Sequence, residues 1–124
     1  MNKEYLKLVS YLLHSATQVH VFHLQTNSFS EHNALNTYYD EIVGLTDGLI
    51  ESYQGKYDIL KGYENYALND YENNAQVIKY FKALMNTVDE LRVSVKNDSY
   101  LQNEIDNVVG LIASTLYKLR FLNK

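Results

Sequence analysis

The sequence predicts an all-α protein of four helices. Three observations carry that prediction. Four stretches repeat apolar residues in alternating steps of three and four, the spacing of one helix face and not of a strand. Two of the three links are only a few polar residues long, and each carries the S-x-x-[EQ] pattern that opens a helix. The middle link is of about twenty residues, far beyond an ordinary helix–helix turn. With 124 residues and 46% apolar side chains, the chain has one domain's worth of core. A chain this size hides roughly two-thirds of its unfolded surface, so neither disulfides nor a structural zinc cluster is needed to hold it.

The first helix carries Val9, Leu13, Ala16, His20 and His23 on its stripe, with Leu6 and Leu12 beside it. Both histidines thus stand where apolar core residues are expected. It should stop near Gln25, where Thr26-Asn27-Ser28 reads as a turn and Ser28-Phe29-Ser30-Glu31 as a capping box. So short a link makes the first two helices an antiparallel hairpin. The second helix carries His32, Leu35, Tyr39, Ile42, Thr46, Leu49 and Tyr53, and is expected to end at Gly55 as a C-terminal cap. Residues 55–74 lose the period and hold Gly62 and several asparagines. The third helix shows Val77, Phe81, Leu84, Val88, Leu91 and Val95 and gives way at Lys96-Asn97-Asp98. Ser99-Tyr100-Leu101-Gln102 reads as a second capping box, followed by Leu101, Ile105, Val108, Ile112, Leu116, Leu119 and Leu122. Two tight hairpins joined by a long connector predict a bundle with one crossover between helices two and three, with room in it for a short helix.

Composition excludes several chemistries. There is no cysteine, hence no thiolate nucleophile and no Cys-based zinc or iron–sulfur site, so a metal must be held by His and carboxylates. The net charge is −4, and Lys3, Lys7, Lys56, Lys61, Lys79, Lys82 and Lys96 are scattered, so no basic stripe awaits a phosphate backbone and nucleic acid is not an expected partner. No run approaches the roughly 20 apolar residues of a membrane span, and Met1-Asn2-Lys3-Glu4 leads directly into the amphipathic pattern. A cytoplasmic protein without a membrane partner is expected.

All four histidines lie between residues 14 and 32, and His20, His23 and His32 flank the first turn. Asp47 and Glu51, four residues apart on the second helix, can face one ion. These are two half-sites. His32 and Asp47 are fifteen residues apart on one helix, about 22 Å at 1.5 Å per residue, so the halves close only between subunits. A twofold dimer sets the histidine end of one subunit against the carboxylate end of its mate and makes two identical sites. His14 reads as structural or exposed. The bland alternatives are that Asp47 and Glu51 are a solvated helix face, and that the histidines are satisfied buried or capping residues.

The segment from Val19 to Ser52 resembles the core motif of the Dps-type mini-ferritins. That family reads a His, a second His twelve residues on, an Asp four after it, then after eleven more an Asp and, four on, a Glu. Here His20, His32, Asn36, Asp47 and Glu51 hold those positions, all five in register and four of the five matching in identity. Asp98 to Leu122 is similar to the family's last helix. The likeness implies a ferritin-like four-helix bundle over residues 1–124. It implies a ferroxidase centre with His20 and His32 from one subunit and Asp47 and Glu51 from the other, binding iron for oxidation by peroxide or dioxygen, with zinc able to substitute. It also implies a homo-oligomer, either a twofold dimer or a dodecameric shell. The within-bundle site of larger ferritins is not expected, because no helix carries Glu-x-x-His.

Three departures accompany the resemblance. Asn36 replaces a coordinating Asp and offers a neutral oxygen, for which His23 can compensate. The family's basic tail is not expected here. No Trp stands beside the centre, leaving Tyr38 and Tyr39 as oxidisable aromatics. The short form is similar to ferritin-like proteins of some tailed phages, which implies a virion-associated alternative. Two rivals remain: a ferritin-fold assembly protein without turnover, and a small helical binding module, which leaves the histidine spacing unexplained.

Overall fold

The computed structural model describes residues 2–122. It holds α1 (Lys3–Gln25), α2 (Phe29–Lys56), α3 (Asn74–Leu91), a 3-10 turn over Arg92–Val95, and α4 (Ser99–Phe121). Among the described residues there is no strand, and no helix is long and apolar enough to cross a membrane.

Each helix packs on two others: α1 on α2 and α3, and α4 on α2 and α3. The hydrogen bonds give the directions. Tyr5 of α1 donates its hydroxyl to the Leu49 carbonyl near the end of α2 at 2.9 Å, so these two helices are antiparallel. Asn2, capping α1, donates to the Ser94 carbonyl beyond the end of α3 at 3.1 Å, while Phe22 near the end of α1 meets the edge of Tyr80 near the start of α3. Hence α3 runs against α1 and with α2, and residues 57–73 cross the length of the bundle. The shared core includes Tyr5, Leu12, Phe22, Leu35, Tyr38 and Phe81, each 1% exposed or less. Tyr38 is edge-on to Phe81 with ring centres 4.9 Å apart.

No short helix forms in the crossover. Instead α1 holds it as an extended strap with one row of side chains, four or seven residues apart. Ser10 Oγ accepts the Glu64 N–H, and His14 Nε2 donates to the Ala67 carbonyl. Gln18 gives its Nε2 to the Asn69 carbonyl and takes the Asn69 N–H on Oε1, at 2.8 and 2.7 Å. Gln25 Oε1 takes the Tyr71 N–H. Gly62 turns the strap at φ 92°, a conformation that costs glycine little and other residues more.

Three expectations are corrected: two at helix ends and one on the face of α1. Gly55 does not cap α2, which continues to Lys56 with Tyr57 as its C-cap; nothing forces a stop there, since the chain leaves without a left-handed residue. The third helix gives way at Lys96 as expected, with α3 proper ending at Leu91 and Arg92–Val95 tightening into the 3-10 turn. Ser99 opens no capping box: the N-cap is Asp98, whose carboxylate goes to Lys56 and Tyr57, and the Gln102 side chain turns to the Arg92 and Val95 carbonyls. On α1 the buried face runs through Tyr5, Leu8, Leu12, Ser15, Val19 and Phe22, so Leu13 and His20 of the expected stripe point outward. Ser15 is tolerated inside because its hydroxyl donates to the Leu12 carbonyl and accepts from Tyr38. Burial pushes the Tyr38 phenol well above its ordinary pKa, keeping it a neutral donor.

Candidate metal centre

The α1–α2 link is three residues, Thr26 to Ser28, and its polar groups fix how the two helices meet. Ser28 caps α2 by accepting the Glu31 N–H at 3.3 Å. Glu31 accepts from the Thr26 hydroxyl at 2.7 Å, and the Ser28 N–H goes to Thr26 Oγ1. This buried brace sets the last turn of α1 over the first turn of α2.

At that junction His23 and His32 stack with ring centres 3.6 Å apart. His23 Nδ1 lies 2.7 Å from the His32 carbonyl, and His32 Nδ1 lies 2.9 Å from the His23 carbonyl. A carbonyl only accepts, so both rings donate from Nδ1, and Nε2 is the nitrogen that carries the lone pair in the neutral ring. His23 is 7% exposed, whereas the His32 ring borders an open depression of about 290 Å³ lined also by Thr26, Asn27, Ser28 and Phe29.

His20, one turn earlier, is exposed and stacks on Tyr39 at 4.4 Å. Tyr39 also meets His23 edge-on at 5.1 Å and donates its hydroxyl to Asn36 Oδ1 at 2.7 Å. The other end of that amide, Asn36 Nδ2, donates to Asp40 at 3.2 Å. A carboxylate cannot donate, so Asp40 dictates which end of Asn36 faces Tyr39.

Asp47 and Glu51 are exposed on α2 and, among the described residues, make no hydrogen bond or ion pair. They stand apart from the histidines, and no group of three His, Asp or Glu side chains converges within one subunit among the described residues. The structure therefore brings His20, His23, His32 and Asn36 together at the hairpin tip and leaves Asp47 and Glu51 at the far end. His14 belongs to the strap. Sequence reasoning passed over Asp40, although its place one turn after Asn36 was legible, and missed that Tyr39 bridges His20 and Asn36, which only the contacts reveal.

Residues 23–119 match a family of unknown function, DUF5856. The chain belongs to that family. No curated protein and no solved structure gives a significant match. The DUF5856 match takes in His23, His32, Asn36, Asp47 and Glu51 and begins just after His20. At 3.6 residues per turn, His32, Asn36, Asp47 and Glu51 of this DUF5856 chain fall within an arc of roughly 100° on α2, turned away from the buried line of Leu35, Ile42 and Leu49. That arc presents the His32 imidazole and the Asn36 amide at one end and the Asp47 and Glu51 carboxylates at the other, with His20 and His23 of α1 beside the first end. Imidazole and carboxylate together suit a borderline divalent transition ion, but among the described residues of one subunit the two ends do not meet.

Proposed function

We propose that this DUF5856 protein is a mini-ferritin-like iron-binding protein of the cytoplasm. It oxidises Fe(II) with peroxide or dioxygen at a site shared between two subunits, and thereby detoxifies or stores iron. The observation that carries the reading is the shared outward arc: His32 and Asn36 at one end of α2, with His20 and His23 beside them, and Asp47 and Glu51 on the same side about 22 Å away. A twofold axis across this face sets each end against the opposite end of the mate, in a dimer or a larger shell. The order of helix packing and the long crossover support a ferritin-like bundle. His20 and His32 supply nitrogen, and Asp47 and Glu51 supply the charge that favours Fe(III) over Fe(II). With peroxide, two Fe(II) ions each give up one electron, the O–O bond breaks, and two protons are taken up to leave water. Zinc can occupy the same donors without turnover.

A second reading, a ferritin-fold or virion-associated assembly protein without turnover, is favoured by one observation: both ends of the Asn36 amide are engaged inside the subunit. Anomalous scattering from crystals of protein purified without chelator, with elemental analysis and light scattering, separates the two. The ferroxidase reading expects an oligomer with a transition metal between His20 or His32 of one subunit and Asp47 or Glu51 of the next. A stable monomer at micromolar concentration overturns both readings. A metal-free oligomer that takes up no Fe(II) or Zn(II) leaves the assembly reading.

A further inference from the structure

We infer that Tyr39 is the positioning residue of the imidazole half-site and that Asn36 acts through it, not as a ligand. The inference deepens the proposed metal reading and rests on it for the identity of the ion, though not for the contacts themselves.

Four contacts form a chain with a single direction. Asp40 accepts from Asn36 Nδ2, which turns Asn36 Oδ1 toward Tyr39. That oxygen accepts the Tyr39 hydroxyl at 2.7 Å, which fixes the phenol ring on its helix. The ring covers His20 face to face at 4.4 Å and His23 edge-on at 5.1 Å. Offset-stacked and edge-to-face contacts are specific in angle, so one half-buried ring packs against two imidazoles at once. His23 in turn is locked to His32. His20 is exposed and, among the described residues, has no hydrogen bond, so its stack on Tyr39 is the main restraint on its ring. Losing a group that orients a ligand imidazole typically costs about 10–100-fold in metal affinity. A direct role for Asn36 is the weaker alternative, since its oxygen already holds a short hydrogen bond and its nitrogen is turned to Asp40.

The two roles are separated by a double-mutant cycle on the full chain. Tyr39→Phe keeps the ring and removes the hydroxyl; Asn36→Ala removes the amide from a helix position where alanine is well tolerated. In the metal-free protein, the histidine ring nitrogen and proton NMR signals of His20 and His23 should shift in both variants, in the same direction, with the double variant matching the singles. With Zn(II) as probe, each single variant should bind about tenfold more weakly by calorimetry, and the double no more weakly than either. If the two losses multiply in the double variant, Asn36 acts independently of Tyr39 and the inference falls. If Asn36→Ala leaves the metal-free His20 and His23 signals in place, it also falls. Wild-type protein that binds no Zn(II) or Fe(II) sinks the ferroxidase reading, while the metal-free spectra still decide the role of Tyr39.

Discussion

His23 and His32 restrain each other reciprocally: each Nδ1–H is donated to the other residue's backbone carbonyl, at 2.7 and 2.9 Å, with the rings stacked 3.6 Å apart. One pair thereby does two jobs. It staples the last turn of α1 to the first turn of α2, and it commits Nδ1 of both rings to the hairpin, so that Nε2 is the nitrogen not used in the staple. Structural and ligand roles, which the sequence presented as alternatives for the histidines, are compatible in this geometry, because they use different nitrogens of the same ring.

His23→Leu should therefore destabilise the protein by about 1–2 kcal/mol, the value of a largely buried hydrogen bond whose partner is left behind. The His32 Nδ1–H bond survives in this variant, since it ends on the main chain of residue 23. Urea unfolding reads the effect as a lowered midpoint with an unchanged slope. A midpoint equal to wild type would show that the pair contributes nothing to the hairpin.

The strap should respond to Gln18→Leu. Gln18 is 0% exposed and is the side chain that pairs with both the N–H and the carbonyl of one strap residue, Asn69. Leucine keeps the bulk and loses both bonds, at about 1–3 kcal/mol. Amide exchange at Asn69 should accelerate well beyond the change at core amides such as Leu12. Equal acceleration everywhere would mean that the strap opens only with global unfolding.

The helices themselves were legible because their apolar period is strong, and the crossover was favoured by the length of the link, although a loop of that length can also run over the surface. Which way α1 faces was harder to read. Leu13 and Ala16 are apolar, yet Ser15 and Gln18 lie inward, satisfied by Leu12, Tyr38 and Asn69; such partners come from remote parts of the chain. For the same reason Asp98 was invisible as a cap: its charge is claimed by Lys56 and Tyr57, some forty residues earlier. At the candidate site, spacing located the two half-sites but not the Tyr39–Asn36–Asp40 chain between them, because spacing shows which residues share a face and not which atoms meet.

Asp98 joins the end of α2 to the start of α4, accepting from Lys56 Nζ at 2.6 Å and from the Tyr57 hydroxyl on both oxygens. The Lys56 bond, with that from Tyr57, holds its carboxyl below the usual range, and the same bond raises Lys56. A lowered folded pKa means that Asp98 contributes fully above its ordinary value of 3.8 and that the contribution is lost as pH falls through the folded value. For Lys56 the sense is opposite, with loss only as pH rises beyond its ordinary 10.5. Melting temperatures of Asp98→Asn should thus lie below wild type at neutral pH and converge with it in strong acid. Parallel curves across the acid range would remove Asp98 from the titration.

The carboxylate end decides between turnover and assembly. Asp47 and Glu51 are exposed and, among the described residues, unpaired, so replacing Glu51 with Ala should leave the fold intact, and any loss must come from binding. An ion held only by the native state stabilises it by about 2.7 kcal/mol at a hundredfold excess over its dissociation constant. Wild-type melting should therefore rise with Fe(II) or Zn(II), and Glu51→Ala should abolish the rise without changing the metal-free melting temperature. Asn36→Asp works in the other direction. The aspartate can still accept the Tyr39 hydroxyl while adding a carboxylate to the imidazole end, at the cost of the bond to Asp40. Peroxide-dependent Fe(II) oxidation should increase in that variant. An unchanged oxidation rate, together with no metal-dependent shift in the wild type, would favour the assembly protein, since the face would then serve contact between subunits and no chemistry.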